Sequence, residues 1–548
     1  MRNTEQDSEV TISLSGINQA DWYALVVVLI VAVVLRLLFY TGFFGSDEVT
    51  YVEVAANIAA GDWHASNYIG ATRYGMNLPV ALFIYLFGLS EASANLWPLL
   101  CSVGEVAVVF IIARWLWSTR VATLSALLLA LLPLHVHFAG RMMADPPLAF
   151  FLTLSVALLL RATFSRYWIT FFAAGLAWGG VFWVKESVGL LYAPVFLILH
   201  LHLNSFHKRP LLWLIAGMAF AVVANCALMY FVADNPLHVF AVMKKVVVVL
   251  AANLTLAESP WYYLRYLFLD IRHTFLLGFL TLAAVIFYAK RFLQNKNADR
   301  GTQFVVLWVL LLLGMFSLAV VSFSPVKLVM KQTNYMLIFV GPMTLLAGWY
   351  LASLPRRLLL PLGVVIATGS LVLAALEQQA IAVFTANSKA AYAFLRDQPD
   401  AFLVGTTNNE RAVNFFTMIE SRGDLRKQML TFSEMATIDL GDPLGTLVNH
   451  SAGKNVFALV DLQNIGWGNN KRGIRQLGDV PKCWTPMGTL TPVQQGIGGV
   501  LTTGMFTLSS VLPASFQQRY LSILEPVTMP AQAHLFRVGP SCLTKVTK

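Results

Sequence analysis

Asp47 and Glu48 stand side by side in the stretch Phe43-Phe44-Gly45-Ser46-Asp47-Glu48-Val49-Thr50-Tyr51, a few residues beyond the apolar run from Trp22 to Tyr40. Carboxylates at the mouth of a membrane span sit where hydrocarbon meets water, so an acid there can stay ionised while facing a substrate carried in the lipid. Such an acid can serve as a proton acceptor. On a helix Glu48 would point about 100° away from Asp47, so the two do not share one task. Ser46-Asp47 before a periodic run is also a helix N-terminus signature, with Asp47 as the cap. Arg141 and Asp145 lie four residues apart, and Pro146-Pro147 fixes the start of the helix that follows. A local ion pair stapling that turn accounts for them as well as a polar site does. Lys185, Arg265, Lys327 and Lys331 are cations near span ends, of the kind that meet headgroups or a phosphate. Lys185 also has Glu186 beside it as a ready partner. Arg36 falls inside the first apolar run, where an unpaired charge is costly, so it must snorkel or find a partner in the bundle. His64, His135 and His137, with Asp62, have metal-ligand side chains, but their spacing matches no recognised site, and no metal site is assigned.

The elements that position these residues are membrane spans. Of 548 residues, 57% are hydrophobic and 12% charged, and the mean hydropathy is +0.66. A soluble globular chain carries about twice that charge. Apolar segments long enough to cross a bilayer fall near 22–40, 97–117, 120–136, 145–161, 167–184, 188–203, 211–232, 272–290, 302–322, 334–353 and 357–376, giving about eleven spans. The net charge is +10, and its placement carries the information. Arg114, Arg120, Arg161, Arg166, Lys208, Arg209, Lys290, Arg291, Lys296, Arg300, Arg356 and Arg357 fall in alternate connections, which the positive-inside rule makes cytoplasmic. The long loop 41–95, the turn 135–145, Lys185-Glu186, the loop 233–270, the turn 322–331 and everything after about residue 376 then share the exoplasmic side. This distribution argues against a nucleic-acid partner. Within the first loop, 48–60 and 77–87 have helical spacing and could lie along the interface.

Past Leu376 the composition turns mixed and polar. The runs 401–405 and 456–460 read as buried strands, and 387–396 and 410–419 as helices. Roughly 170 residues suffice for one compact soluble α/β or α+β domain. The expected fold class is thus a polytopic α-helical membrane protein, residues 1–376, with a soluble domain at 377–548. Cys101 and Cys226 lie in apolar runs as buried thiols. Cys483 and Cys542 could be bridged if their region is exoplasmic.

From Tyr68 to Leu160, and in the block at Gly45 before it, the residues resemble the polyprenyl-phosphate-sugar glycosyltransferases of the membrane C-type fold, the group that includes protein O-mannosyltransferases and lipid A aminoarabinose transferases. The matching blocks are Gly45-Ser46-Asp47-Glu48, Leu86-Phe87-Gly88-Leu89-Ser90-Glu91 leading to Leu96-Trp97-Pro98, Ala113-Arg114-Trp115-Leu116-Trp117, and Arg141-Met142-Met143-Ala144-Asp145-Pro146-Pro147. Later blocks, Gly175-Leu176-Ala177 with Lys185 and Lys331 with Tyr335 and Pro342, are similar too. The likeness covers about the first 350 residues and leaves the C-terminal domain unexplained. It departs at Asn334-Tyr335, where the family often has arginine before the tyrosine.

The resemblance implies an inverting transferase that moves a sugar from a polyprenyl-phosphate donor to a hydroxyl or phosphate of a lipid, glycan or protein acceptor. The reaction would take place on the exoplasmic face of the inner (cytoplasmic) membrane. It makes Asp47 the base, with Glu48 and Asp145 as further catalytic acids. Arg141, Lys185, Arg265, Lys331 and Tyr335 become donor-phosphate ligands, and Tyr51, His64 and Arg73 acceptor or pocket residues. It implies no required cofactor and leaves a divalent cation open, since some relatives use one and others do not. The competing class is a transporter or flippase of a lipid-linked saccharide, which should show internal repeats and acids near mid-membrane.

Overall fold

The computed structural model describes residues 18–204, 208–252, 259–294, 299–324, 326–420, 425–432, 434, 453–462, 477–490, 496–528 and 532–539. Its helices in chain order are α1 (Gln19–Leu38), α2 (Glu48–Ala59), α3 (Tyr74–Phe87), α4 (Glu91–Leu116), α5 (Thr119–Leu131), α6 (Pro133–Ala139), α7 (Asp145–Ser165), α8 (Trp168–Val184), α9 (Glu186–Leu191), α10 (Ala193–Asn204), α11 (Lys208–Ala233), α12 (His238–Ala252), α13 (Tyr262–Phe268), α14 (Leu277–Gln294), α15 (Arg300–Leu318), α16 (Leu337–Ser353), α17 (Arg356–Asp397) and α18 (Thr407–Ile419). Two more, α19 (Gly496–Ser509) and α20 (Ala514–Thr528), lie near the C-terminus.

Among the described residues nine helical segments are long and apolar enough to cross a bilayer, or ten if the bent pair α5–α6 is one span. The protein is therefore a multi-pass membrane protein. All eleven apolar segments of the sequence are mainly helical, though 302–322 runs past the helix end at Leu318 into a strand that starts at Val320. Two fall outside the nine, one because it is bent and one because it is short. Pro133 cannot continue the hydrogen-bond ladder of α5, so the chain turns by 61° into α6. The other, α8, has 17 residues and is packed so closely on α11 that a Cβ at Gly175 would lie 2.0 Å from the Leu214 carbonyl oxygen, and one at Gly217 2.1 Å from that of Phe172. Small residues at these positions let the two backbones touch, which is how helices associate where lipid supplies no hydrophobic drive. The last span does not stop near 376: α17 runs on for 42 residues to Asp397.

The chain packs as two compact units. The first comprises residues 1–38, 63–79 and 97–373, and the second 39–62, 80–96 and 374–548, so the loop 41–95 is shared between them. In the first unit Arg36 is fully buried, and its charge is answered inside the bundle rather than by snorkelling. Its Nε donates to Ser102 Oγ at 2.8 Å, Nη1 to the Ala32 carbonyl at 2.9 Å, and Nη2 to His135 Nδ1 at 2.5 Å. A guanidinium cannot accept, so Nδ1 must, which leaves the imidazole proton on Nε2 facing Glu105 Oε2 at 3.0 Å. Thr153 donates to the other Glu105 oxygen at 3.1 Å. A neutral histidine thus joins a buried cation to a buried anion across α1, α4, α6 and α7. Glu105 is an acid inside a span.

In the second unit β3 (Ala401–Gly405), β4 (Met429–Thr431), β5 (Asn455–Asp461), β6 (Trp484–Leu490) and β7 (Ala533–Val538) form one sheet in the order β4-β3-β5-β7-β6. The β3–β4 and β3–β5 pairs are parallel, and β5–β7 and β6–β7 antiparallel. A two-stranded pair, β1 (Val320–Phe323) and β2 (Val326–Leu328), precedes them in the first unit. The strands at 401–405 and 456–460 are where the apolar runs put them. Their period-two alternation sends Phe402, Val404, Val456, Ala458 and Val460 to one face and Ala401, Leu403 and Leu459 to the other, against Ala391, Tyr392 and Leu395 of α17 and Val413 of α18. Cys483 is disulfide-bonded, and Cys542 lies outside the described residues. Cys101 and Cys226 are free thiols.

Candidate functional site

Asp145 opens α7 with Pro146 and Pro147 in its first turn, so its carboxylate stands at a helix start rather than within the ladder. It is 1% exposed. One oxygen takes a hydrogen bond from Lys185 Nζ at 2.9 Å and the other from Asn334 Nδ2 at 3.0 Å. The same ammonium lies 4.2 Å from the centre of the Tyr335 ring. Lys185 is extended backbone between α8 and α9, which frees its side chain to reach forty residues back rather than to its neighbour. Glu186 instead faces Arg73, Oε2 to Nε at 3.8 Å. Arg73 arrives beside Lys185 because Gly75 lets α3 approach so closely that a Cβ there would be 2.8 Å from the Trp183 backbone. Arg141 meets His137 Nε2 at 3.2 Å and stacks over Phe138 at 5.0 Å. Lys331 is 2% exposed and donates to the Val329 carbonyl at 3.2 Å.

Asp145, Lys185 and Tyr335 are separate in the sequence, and the fold joins them at the Lys185 ammonium, with Asn334 as a second partner of Asp145. Asn334 was legible only as a departure from the family pattern. Arg265, in the last turn of α13, is exposed. Its helix meets the Tyr335 turn through Tyr262 and Thr333, whose hydroxyls are 3.2 Å apart. His64 is exposed.

Next to the cations runs an apolar groove of about 400 Å³, lined by Tyr74, Pro79, Trp97, Phe151, Trp183 and Phe220 among others. Trp97 Nε1 is tied to the Gly75 carbonyl at 3.1 Å and Trp183 Nε1 to that of Ala221 at 2.7 Å, so both indoles spend their polar edge on backbone. Leu176 and Phe220, on its wall, are exposed, as lipid-facing residues are. The lining residue Tyr74 is adjacent in the chain to Arg73, and Trp183 is two residues from Lys185, so cationic residues lie close in the chain to a hydrocarbon-lined groove. This combination suits a lipid with a charged head.

The second unit holds Asp47, Glu48 and Tyr51. Asp47 is half-buried at the N-cap of α2, yet its side chain makes no capping hydrogen bond. Glu48 does the tethering: its carboxylate accepts from the backbone N–H of Phe44 at 2.6 Å, Gly45 at 2.5 Å and Ser46 at 3.0 Å. Asp47 thus holds the N-cap position the sequence predicts, without the side-chain bond of a cap. Glu48 is 2% exposed and spent on holding the loop, which is not the situation of a base waiting for a substrate. Tyr51, 1% exposed, is core. Among the described residues no group of three His, Cys, Asp or Glu side chains could hold a metal ion.

Residues 76–230 match the family described as dolichyl-phosphate-mannose-protein mannosyltransferase. The structure of ArnT from Cupriavidus metallidurans bound to undecaprenyl phosphate aligns with a TM-score of 0.56 at 15% identity, over 96% of this chain and 100% of that one. The chain has the C-type membrane glycosyltransferase fold. The archaeal oligosaccharyltransferase AglB from Archaeoglobus fulgidus, in complex with an inhibitory peptide and a dolichol-phosphate, aligns at 0.53 and 10% identity, over 95% and 88% of the two chains. The apo form of the Archaeoglobus fulgidus oligosaccharyltransferase gives 0.53 and 12%, over 87% and 74%. No curated protein matches the chain in sequence.

Proposed function

We propose that the protein is an inverting glycosyltransferase that takes a sugar from a polyprenyl-phosphate donor and passes it to a hydroxyl or phosphate of a lipid, glycan or protein acceptor. The observation that carries the reading is the apolar groove whose lining residues Tyr74 and Trp183 lie one and two residues along the chain from Arg73 and Lys185, since a polyprenyl tail needs an apolar wall and its phosphate needs cations. The acceptor oxygen attacks the anomeric carbon as the carbon–phosphate oxygen bond breaks. The electron pair leaves with the polyprenyl phosphate, and the acceptor proton goes to Asp47. Lys185 and Arg73, with Arg141, Lys331 and Arg265 as further candidates, stabilise the charge that grows on the departing phosphate. Asp145 and Asn334 fix the Lys185 ammonium, and the Tyr335 ring bounds its position. The reaction runs on the exoplasmic side of the inner membrane, as the basic loops suggest, with no required cofactor and a divalent cation left open.

The transporter reading draws some support from Glu105 inside a span, but that carboxylate is engaged by His135 and Thr153 in a packed cluster, which suits a fixed part better than a carrier site. The test is to incubate purified protein with a panel of polyprenyl-phosphate sugars and to follow sugar transfer and donor hydrolysis for wild type and Asp47→Asn. Turnover of one donor, lost in the variant, is expected. Equal turnover by both proteins would remove Asp47 as the base, and no turnover of any donor by wild type would remove the reaction.

A further inference from the structure

The segment from Tyr40 to Asp47 has no regular structure of its own, and Gly42 at φ +68° and Gly45 at φ +90° make its backbone one that few other sequences adopt. Something outside the segment must fix it, and the second unit supplies the parts. Gln378 of α17 donates to the Tyr40 carbonyl at 3.0 Å, and Glu91 accepts from the Phe43 N–H at 3.0 Å. The Phe43 ring, 1% exposed, packs 4.9 Å from Phe415 and 5.2 Å from Phe416 of α18. Phe44 stacks on Phe384 of α17 at 4.9 Å. Arg411, also on α18, donates from Nη1 to the Gly45 carbonyl at 2.9 Å, two residues before Asp47.

The sheet in turn fixes α18. The strand β3 ends at Gly405, and the helix begins at once with Thr406 and Asn409 closing a reciprocal capping box. Val413 is buried in the sheet's helix-covered face. A rigid path therefore leads from β3 through α18 and Arg411 to the peptide that carries Asp47.

We propose that the C-terminal sheet unit serves as the holder of the Asp47 loop, and that Arg411 is a positioning residue for the transfer reaction. This rests on Asp47 being the base of the proposed function, and it gives the C-terminal domain a role that its own sequence does not declare. Arg411 touches no reacting atom. It acts by orienting the Gly45–Ser46 peptide, and a charge-assisted bond to a carbonyl is among the stronger ways to do so.

The test compares wild type, Arg411→Ala, Arg411→Lys and Asp47→Asn as full-length protein, with the polyprenyl-phosphate sugar that wild type turns over. A base displaced by about 1 Å costs roughly 10²-fold, so Arg411→Ala is expected to lower kcat by about 10- to 100-fold. The KM for the donor and the unfolding midpoint should stay unchanged, because the cations and groove belong to other segments. Arg411→Lys, still a cationic donor, should recover much of the loss. Hydrogen exchange at Phe44, Gly45 and Ser46 should quicken in Arg411→Ala whatever substrate is used. Unchanged exchange, or wild-type kcat in Arg411→Ala while Asp47→Asn is inactive, overturns the holder role and leaves the proposed reaction standing. A fall in kcat that comes with a lowered unfolding midpoint and no rescue by lysine also overturns it, as a stability effect alone. Full turnover by Asp47→Asn removes the base, and the positioning role with it.

Discussion

Glu105→Gln isolates one term in the stability of the bundle. Glutamine keeps the shape of glutamate and can accept from His135 Nε2 through its amide oxygen, while its NH2 takes the place of the oxygen that faces Thr153 Oγ1, a hydroxyl able to accept; the negative charge is lost. Arg36, which is always protonated and has 0% exposure, then stands in the bundle without a counter-ion. Removing one member of a buried pair costs about 3–5 kcal/mol, because the other charge is left uncompensated. Placing an arginine at the centre of a span costs about 2.5–3.5 kcal/mol on insertion scales, which agrees in size. The folded-to-unfolded ratio should therefore fall by roughly 10²- to nearly 10⁴-fold. The measurement is equilibrium unfolding in mixed micelles, for Glu105→Gln, Arg36→Met and the double variant. Each single change should be strongly destabilising, and the double variant should recover most of the loss, since it leaves no charge to compensate. If the two single penalties simply add, the charges do not answer one another and the account of Arg36 is wrong.

Other expectations concern the site and the C-terminal sheet. Lys185→Met should reduce sugar transfer by about 10²- to 10³-fold, the scale for losing a preorganised group at a developing charge, and Lys185→Arg should retain part of it; wild-type rates in the methionine variant would take Lys185 out of the reaction. Burial, with the Glu434 carboxylate beside it, holds the Glu410 carboxyl above the usual carboxylate range. A folded-state pKa above the unfolded one means that the ionised form costs stability, in full above the folded pKa and not at all below the unfolded value of about 4.3. Thermal unfolding should accordingly show Glu410→Gln stabilised at about pH 8 with the gain vanishing near pH 4, whereas a gain that grows on acidification would reverse the sign of the argument.

The first-loop acid pair, the cations near span ends and the spans themselves were legible in the sequence, because each is a local matter. A bilayer demands a run of apolar residues of fixed length, and helical or strand periodicity follows from which face is buried. The eleven apolar segments are mainly helical and the strands at 401–405 and 455–461 extended for that reason. Composition also showed that Arg36 must be answered, without showing by what.

What the tertiary structure decided is who meets whom. Lys185 passes over its neighbour Glu186 to bind Asp145 forty residues away, since a helix break turns the two side chains apart. Asn334 joins that pair, His135 stands between Arg36 and Glu105, and Glu48 binds three backbone amides that Asp47 leaves to it. The end of α17, the sheet and α18 close around the loop that precedes Asp47 through contacts more than three hundred residues apart in the chain. Such pairings depend on how long elements cross and on which faces they bury, and a local pattern of residue types carries no record of either.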